Sequence, residues 1–214
     1  MANTATKPWI LAISLDHKPF LDDMFEPLMA KIRRRADFLR VEDADSAKHW
    51  LSRATPEAIL ITDEGLTEDQ NSHVWHAVLR YVRGGGTAVV MGCFSNFVLP
   101  LSIKPFFAQA GLEWCSASYT GETFVLNDAA VDSCSAAKMV PEYSTKAQFL
   151  NNVALGDAWY VTDEESNVLS PINARAGESA VAFASVGDGK LGYIGDVNAE
   201  HGSNVAVLAM CGLL

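Results

Sequence analysis

The chain has 214 residues, of which 49% are hydrophobic, and its formal net charge is −10 at pH 7. This hydrophobic content excludes a disordered protein, and the length predicts a single domain, residues 1–214, that buries a full core. The acidic charge excludes nucleic acid as an expected partner, because phosphate binding needs clustered Lys and Arg side chains. No apolar run approaches the ~20 residues of a membrane-spanning helix, so no membrane partner is expected either.

The four cysteines lie far apart in the chain, at Cys93, Cys115, Cys134 and Cys211. They form no CxxC pair, so we predict neither a disulfide framework nor a zinc knuckle. The first residues lack the charged-then-apolar layout of a signal peptide. These patterns together predict a soluble, cytoplasmic protein with reduced thiols, and no motif indicates a cofactor.

Strand and helix patterns alternate through the first half of the chain. Hydrophobic runs with the composition of buried strands occupy residues 9–15, 37–41, 57–62 and 87–91. Apolar residues at helical spacing predict helices between them, at residues 19–36, 46–53 and 67–83. This alternation with short connections predicts an α/β fold, a three-layer sandwich with a mainly parallel central sheet of the flavodoxin-like type.

The second half of the chain is less regular. Residues 112–118 read as a fifth strand, and residues 121–178 are interpreted as an excursion on the sheet, too short for a core of its own. Within this excursion we predict strands at residues 121–127 and 158–161, and a helix capped by Ser144.

The end of the chain carries a turn signal between two apolar runs. Residues 179–186 and 190–195 flank a Gly-Asp-Gly turn, which predicts a C-terminal hairpin. A final helix is expected to begin at Ser203 or Asn204, either of which could cap it.

The fold is organised around residues 84–97, which read Gly-Gly-Gly-Thr-Ala-Val-Val-Met-Gly-Cys-Phe-Ser-Asn-Phe. The strand in this stretch breaks at Gly92, and Cys93 follows where the chain leaves the sheet. Asn96 is a candidate N-cap for a helix that begins at Phe97. Strand, glycine turn, Cys and helix indicate a nucleophile elbow, which exposes one side chain above a parallel sheet. The alternative is a buried Cys at a strand end, since free Cys is among the most buried residue types.

Polar and reactive residues follow several of the predicted strands. Because ligands bind outside the carboxyl ends of strands in such sheets, these residues are the candidate site. The first four strands contribute Asp16, His17, Asp63, Glu64, Cys93, Phe94, Ser95 and Asn96. The loop after the last strand contributes Asp196, Asn198, Glu200 and His201.

A catalytic Cys needs a base or a positive neighbour to form a thiolate near neutral pH. Three of the five histidines lie within predicted helices, whereas His17 and His201 follow strands. His201 is preceded by Glu200, a candidate carboxylate to orient the imidazole. We therefore predict a dyad of Cys93 and His201 with Glu200 as the orienting group, and Asp196 or Asp16 as alternatives for that acid.

Two segments carry a resemblance to the class I glutamine amidotransferase-like superfamily. They are residues 79–95, LRYVRGGGTAVVMGCFS, and residues 191–201, LGYIGDVNAEH. In that superfamily a Cys sits on a strand-to-helix elbow, and a His follows the last long strand before the final helix. Cys93 and His201 match those two places, and the resemblance implies an amidotransferase-like fold, with the trehalose-utilisation-like and deglycase-like proteins as the branch.

The chain departs from the amidotransferase motifs at three places, one of which is the family's His-Pro-Glu order, replaced here by Glu200-His201. Met91 and Ser95 replace the two glycines of the GxCxG elbow, so the elbow is degenerate. Acidic residues 63 and 64 stand where the family has a Pro-Gly-Gly oxyanion loop, and they are an unfavourable setting for a developing oxyanion. Glutamine hydrolysis is therefore not predicted. In deglycase-like relatives an acid lies near the end of the first strand, and Asp16 is its match.

The sequence leaves two functions open. The first is a Cys-dependent hydrolase or lyase acting on a small amide, ester or carbonyl compound, with backbone amides near Phe94 as the oxyanion hole. The second is a non-catalytic binding or assembly module, whose polar residues hold a small molecule or a partner. A third reading, a divalent metal ion bound by Asp16, His17, Asp63, Glu64 and His201, is not predicted, because no HxH or HExxH spacing supports it. Assembly into a homo-oligomer is left open.

Overall fold

The computed structural model describes residues 7–162 and 177–214. In this part of the chain the strands are β1 (Trp9–Ile13), β2 (Asp37–Val41), β3 (Ala58–Ile61), β4 (Thr87–Val90), β5 (Cys115–Leu126), β6 (Glu142–Asn151), β7 (Tyr160–Thr162), β8 (Val181–Val186) and β9 (Gly189–Ile194). The helices are α1 (Phe20–Met24), α2 (Glu26–Arg35), α3 (Ala44–Arg53), α4 (Ser72–Arg83), α5 (Phe94–Phe97), α6 (Pro100–Ala108), α7 (Ser133–Ala136) and α8 (His201–Met210).

Six strands form the central sheet, in the order β2-β1-β3-β4-β9-β8. All neighbouring pairs are parallel except β8 with β9, which form the C-terminal hairpin. The register aligns Ile13 of β1 with Ile61 of β3, and Ile61 with Val90 of β4. The carboxyl ends of these three strands therefore meet at one edge, as the predicted mainly parallel fold requires.

Helices cover both faces of this sheet, which makes three layers. Alternate residues of each strand point to opposite faces, so that Ile10 packs with α2 and α8, and Leu11 packs with α3, α4 and α6. All four residues of β3 are fully buried. Burial on both faces explains why the parallel strands read as continuous apolar runs.

A second, three-stranded antiparallel sheet follows, in the order β6-β5-β7. It joins the central sheet through isolated bridges from Ala147 to Asp196 and from Leu150 to Ser179. The predicted fifth strand and the predicted strand at 121–127 are one long strand, β5, which belongs to this sheet. The rest of the predicted excursion supplies α7, β6 and β7, except residues 163–176, which lie outside the described residues.

The helix predicted from a Ser144 cap is wrong, because Ser144 lies within β6. Its neighbours pair with β5 over a long ladder, from Ser144 with Thr123 to Asn151 with Cys115. This non-local pairing overrides the local capping signal.

Three predicted helix starts move by a few residues. Two 3₁₀ turns, Glu64–Thr67 and Asp69–Asn71, precede α4, which begins at Ser72 and not at residue 67. Helix α5 begins at Phe94 and not at Phe97, and α8 begins at His201 and not at Ser203 or Asn204. None of the described helices has the length and apolar character to cross a bilayer.

Candidate functional site

The loops after β1, β3 and β4 meet at the centre of one edge of the central sheet, which we call the carboxyl edge. The Ser14 and Thr62 hydroxyls share a hydrogen bond between the ends of β1 and β3. The Cys93 amide donates to the Thr62 carbonyl oxygen at 2.8 Å, which ties the end of β4 to β3. These hydrogen bonds lie one to three residues beyond the strand ends, and they hold the three loops in fixed positions relative to one another.

The sharp turn after β4 is made by Gly92. Its φ is +70°, and a Cβ there would lie 2.7 Å from the Thr62 carbonyl oxygen. Both the left-handed backbone and this close approach require glycine. Cys93 itself has φ −81° and ψ −4°, an ordinary right-handed helical conformation, and it occupies the N-cap position of α5. The bend therefore places no strain on the backbone of Cys93.

The Cys93 thiol is buried and poorly suited to ionise. Only 1% of the residue is exposed. Burial, together with the negative charges of Glu64 and Asp63, raises the pKa of the thiol to about 11, and the positive charge of Lys18 opposes this only weakly. A thiol in such surroundings stays protonated near neutral pH.

The charges of Glu64, Asp63 and Lys18 act on this thiol, and Lys18 also pairs with Asp16. Lys18 Nζ lies 2.5 Å from Asp16 Oδ2 and 3.3 Å from Glu64 Oε1. Asp63 is 1% exposed, and its Oδ1 accepts the Gly65 amide at 3.1 Å. Burial raises the pKa of the Asp63 and Glu64 carboxyls, whereas the hydrogen bond from Lys18 lowers the pKa of Asp16. A hydrogen bond between the Asp16 and Glu64 carboxyls also lowers the pKa of Asp16 and raises that of Glu64. The cluster therefore contains three carboxyl groups and one ammonium, and only Asp16 and Glu64 pair with that ammonium.

His17 faces a second ionic group beside the first. Its Nε2 lies 3.6 Å from Asp22 Oδ2. The Asp22 carboxylate accepts hydrogen bonds from both terminal nitrogens of the Arg40 guanidinium, and these hydrogen bonds lower the pKa of the Asp22 carboxyl. Arg40 also pairs through Nε with Glu42 at 3.0 Å. His17 thus has a fixed partner on one ring nitrogen only.

Three buried polar side-chain atoms in the described residues have no hydrogen-bond partner, and all of them lie at the carboxyl edge. They are His17 Nδ1, Asp63 Oδ2 and Glu64 Oε2. An unpaired buried polar atom costs roughly 1–3 kcal/mol, so native proteins rarely leave several together. The edge therefore has unused hydrogen-bonding capacity.

Two exposed aromatic rings border the acidic cluster. Phe20 and Phe97 are 43% and 42% exposed, and their ring centroids are 6.0 Å apart. Lys18 Nζ lies 5.1 Å from the centroid of the Phe97 ring, within the range of a cation–π interaction. Sequence reasoning missed Lys18, Phe20 and Phe97 as site residues. Lys18 lies in the loop after β1, Phe20 begins the helix after that loop, and Phe97 ends the helix after Cys93. These positions close to predicted strand ends were the signal that could have identified them.

Asp196 shapes the loop after β9. It is 3% exposed, and it accepts the Thr145 hydroxyl at 2.9 Å and the amides of Asn198 and Glu200 at 2.7 Å each. Ala199 in this loop has φ +59°, a strained conformation for a residue with a Cβ. Asp196 thus acts as a hydrogen-bonding centre that holds the loop, while Asn198 is exposed.

The predicted dyad residues sit in different environments. His201 is the exposed first residue of α8, and Glu200 is its exposed N-cap without a side-chain capping bond. Among the described residues, no hydrogen bond or ion pair joins the His201 side chain to Cys93 or to Glu200. The dyad remains a prediction.

The residues after Cys93 differ in orientation. Phe94 is fully buried and packs on Phe106, Phe107 and Tyr193. Ser95 is buried, and its hydroxyl lies 3.2 Å from the Tyr193 hydroxyl oxygen and 3.3 Å from the Ile194 carbonyl oxygen, which share its single hydrogen as acceptors. Both side chains anchor α5 to the central sheet.

Asn96, the next residue, is exposed. No group of three or more His, Cys, Asp or Glu side chains in residues 7–162 and 177–214 is arranged to hold a metal ion.

A groove of about 650 Å³ lies at the opposite edge, between α3 and α4. Its charged lining residues are Lys48, Glu57 and Arg80, all exposed. The C-terminal ends of both helices border it at Ala54 and Gly84, and their dipoles oppose the binding of an anion. None of the buried atoms without a partner lies there, so the carboxyl edge is the better candidate.

Comparison with known proteins finds structural likeness only. No protein-family model and no curated protein matches the chain. A ThuA-like protein from Bacteroides uniformis has a TM-score of 0.63 at 8% identity, over 97% of this chain and 91% of that one. A second ThuA-like protein, from Parabacteroides merdae, has a TM-score of 0.57 at 13% identity, over 96% and 89%.

A larger protein contains a similar unit. The β-galactosidase from Bacillus circulans sp. alkalophilus has a TM-score of 0.55 at 10% identity, and the match covers 96% of this chain but 30% of that one. At such identities the likeness establishes the fold alone. The chain therefore has an α/β fold similar to that of these two ThuA-like proteins.

Proposed function

We propose that this protein is a binding module that holds a small polar ligand at the carboxyl edge of its central sheet. The observation that carries the proposal is the set of three buried atoms without a partner, on His17, Asp63 and Glu64. A ligand that fills these hydrogen bonds would gain the free energy that the unliganded protein loses by leaving them unmade.

The surroundings of Cys93 favour binding over cysteine chemistry. A nucleophilic Cys needs a lowered pKa or an adjacent base, and here the pKa of Cys93 is raised to about 11 by burial and by two carboxylates. A Cys-dependent hydrolase or lyase acting on a small amide, ester or carbonyl compound is the second candidate. The position of Cys93 directly after β4 supports it, since strand ends at this edge carry sites in α/β proteins.

The test is a nuclear magnetic resonance screen of isotope-labelled protein with small amines, polyols and carboxylic acids. Polyols are included because the similar structures include a β-galactosidase. We expect a bound compound to shift the amide signals of residues near Asp16, Gly65 and Cys93. Glu64→Gln should weaken these shifts, while Glu57→Gln, a change at the exposed residue just before β3, should leave them unchanged.

Cys93→Ala separates the two candidate functions. A binding module should keep its ligand-induced shifts in this variant, whereas a cysteine enzyme should lose turnover of any amide, ester or carbonyl substrate. Shifts confined to other parts of the molecule, or turnover that depends on Cys93, would refute the proposal.

A further inference from the structure

The unpaired atoms at the carboxyl edge restrict what the ligand can be, provided that the proposed binding function holds. We infer that the ligand carries a primary ammonium group, bound by Asp63 and Glu64, on a short hydrocarbon chain that lies against Phe20 and Phe97. The ligand class would then be a small aliphatic amine.

Each unpaired atom at this edge is an acceptor. Asp63 Oδ2 and Glu64 Oε2 are carboxylate oxygens, which accept hydrogen bonds when ionised. The Asp22 carboxylate beside Nε2 of His17 favours the tautomer with its hydrogen on that nitrogen, which leaves Nδ1 as an acceptor. The ligand must therefore donate, and a primary ammonium offers three N–H donors from one atom.

Charge distinguishes an ammonium from a hydroxyl group. Asp16 and Glu64 share a single ammonium, that of Lys18, and Asp63 has no ion-pair partner among the described residues, in a chain whose net charge is −10. A hydroxyl would satisfy the oxygens but leave the excess negative charge in place. An ammonium would do both, and charge-assisted hydrogen bonds are roughly twice as strong as neutral ones. It would also offset the negative charges of Glu64 and Asp63, which add to burial in raising the pKa of Cys93.

The structure contains an internal example of the proposed contact. The Lys18 ammonium sits between Asp16 and Glu64, and it lies 5.1 Å from the centre of the Phe97 ring. It uses Oε1 of Glu64 and leaves Oε2 unpaired, and Oδ2 of the preceding residue, Asp63, is unpaired as well. A second ammonium would find the same combination of carboxylate and ring. Because Lys18 shares its carboxylate, it would compete with the ligand for Glu64.

The aromatic pair supplies the apolar part of the site. Phe20 and Phe97 are each exposed by more than two fifths, which is unusual for side chains of this size, and their rings lie 6.0 Å apart. They adjoin Lys18 and not the groove at the opposite edge. A chain of a few methylene groups on these rings would bury apolar surface, which should strengthen binding about fourfold per methylene.

The experiment compares butylamine with its uncharged analogue 1-butanol, by calorimetry and by the same amide shifts, at pH 7.5. We expect butylamine to bind at the carboxyl edge and 1-butanol to bind at least about tenfold more weakly. Glu64→Gln and Phe97→Ala should each weaken the amine, and Lys18→Gln should strengthen it by removing the competing charge. Glu57→Gln is the control that should change nothing.

Two results would overturn the inference in different ways. If 1-butanol or a polyol binds at the carboxyl edge as tightly as butylamine, the ligand class is wrong, but the proposed binding function stands. If none of the probes shifts the amides of this edge, in wild type or in Lys18→Gln, both proposals fail. Because Glu64→Gln could also disturb folding, its melting temperature is compared with that of Glu57→Gln, and Asp63→Asn gives an independent loss of one carboxylate.

Discussion

Alkylation of Cys93 is the sharpest test of how the carboxyl edge controls its chemistry. We expect iodoacetamide to modify Cys93 far more slowly than Cys134 at pH 7.5. Cys134 is exposed at the start of α7, whereas 1% of Cys93 is exposed. The perturbation is Glu64→Gln, which removes one of the two carboxylates that disfavour the thiolate.

The size of the effect follows from the ionisation of the thiol. A rise of the Cys93 pKa from its ordinary value of 9.0 to about 11 lowers the thiolate population at pH 7.5 about a hundredfold. The more basic thiolate is a better nucleophile, and a Brønsted coefficient of roughly 0.4–0.5 recovers a little under tenfold of this loss. Ionisation alone should therefore slow the reaction by about tenfold. Burial of the sulfur slows it further.

The assay is a time course of alkylation from pH 6.5 to 10, read for each cysteine peptide by mass spectrometry. Cys134 should react first, and Cys93 and Cys211 last, since burial also raises the pKa of Cys211 to about 12. In Glu64→Gln the rate of Cys93 should rise at lower pH than in wild type. Modification of Cys93 as fast as Cys134 at pH 7.5, with an inflection below pH 9, would refute this reasoning and favour the cysteine enzyme.

Three further predictions concern stability. Asp63→Asn should raise the melting temperature at pH 7 but not at pH 4. Burial raises the native pKa of this carboxyl, so wild-type stability falls as the pH rises from the unfolded pKa of about 3.9 through the native pKa. An equal gain in melting temperature at both pH values would contradict this reasoning. Gly92→Ala should lose at least about 1 kcal/mol more in urea unfolding than Gly111→Ala, because both glycines have positive φ but only a Cβ at 92 meets a carbonyl oxygen; equal losses would show that this contact relaxes. Asp196→Ala should cost about 2 kcal/mol or more in the same assay, because three donors lose their acceptor, and a cost no larger than that of the exposed control Asn198→Ala would refute its role in the loop.

The parallel sheet was predictable because its signals are local. The runs at β1, β3 and β4 are continuous and apolar, since both faces of each strand are covered by helices. The same logic indicates where a ligand binds, because the loops after parallel strands must meet at one edge. Asp63 and Glu64 could therefore be placed at the end of β3 without a structure.

Other features depend on contacts that no local pattern encodes. Thr145 and Gln148 lie in a strand because β6 pairs with β5 and bridges to Asp196, although Ser144 reads locally as a helix cap. The burial of Cys93 depends on how the loop after β4 packs against β3 and the helices. The unpaired oxygens at 63 and 64 depend on where the Lys18 side chain reaches, which spacing in the sequence does not determine.

The charges at the carboxyl edge work against a thiolate and in favour of a cation for the same physical reason. Each buried carboxylate raises the free energy of a neighbouring negative charge, so Glu64 and Asp63 add to the effect of burial in raising the pKa of the Cys93 thiol. The same field lowers the free energy of an ammonium, as the seat of Lys18 on Asp16 and Glu64 illustrates. A cation bound at the edge would lower the pKa of Cys93 as well. Binding of an amine and reactivity of the thiol are thus thermodynamically linked, and faster alkylation of Cys93 in the presence of butylamine would reveal that link without any knowledge of the natural ligand.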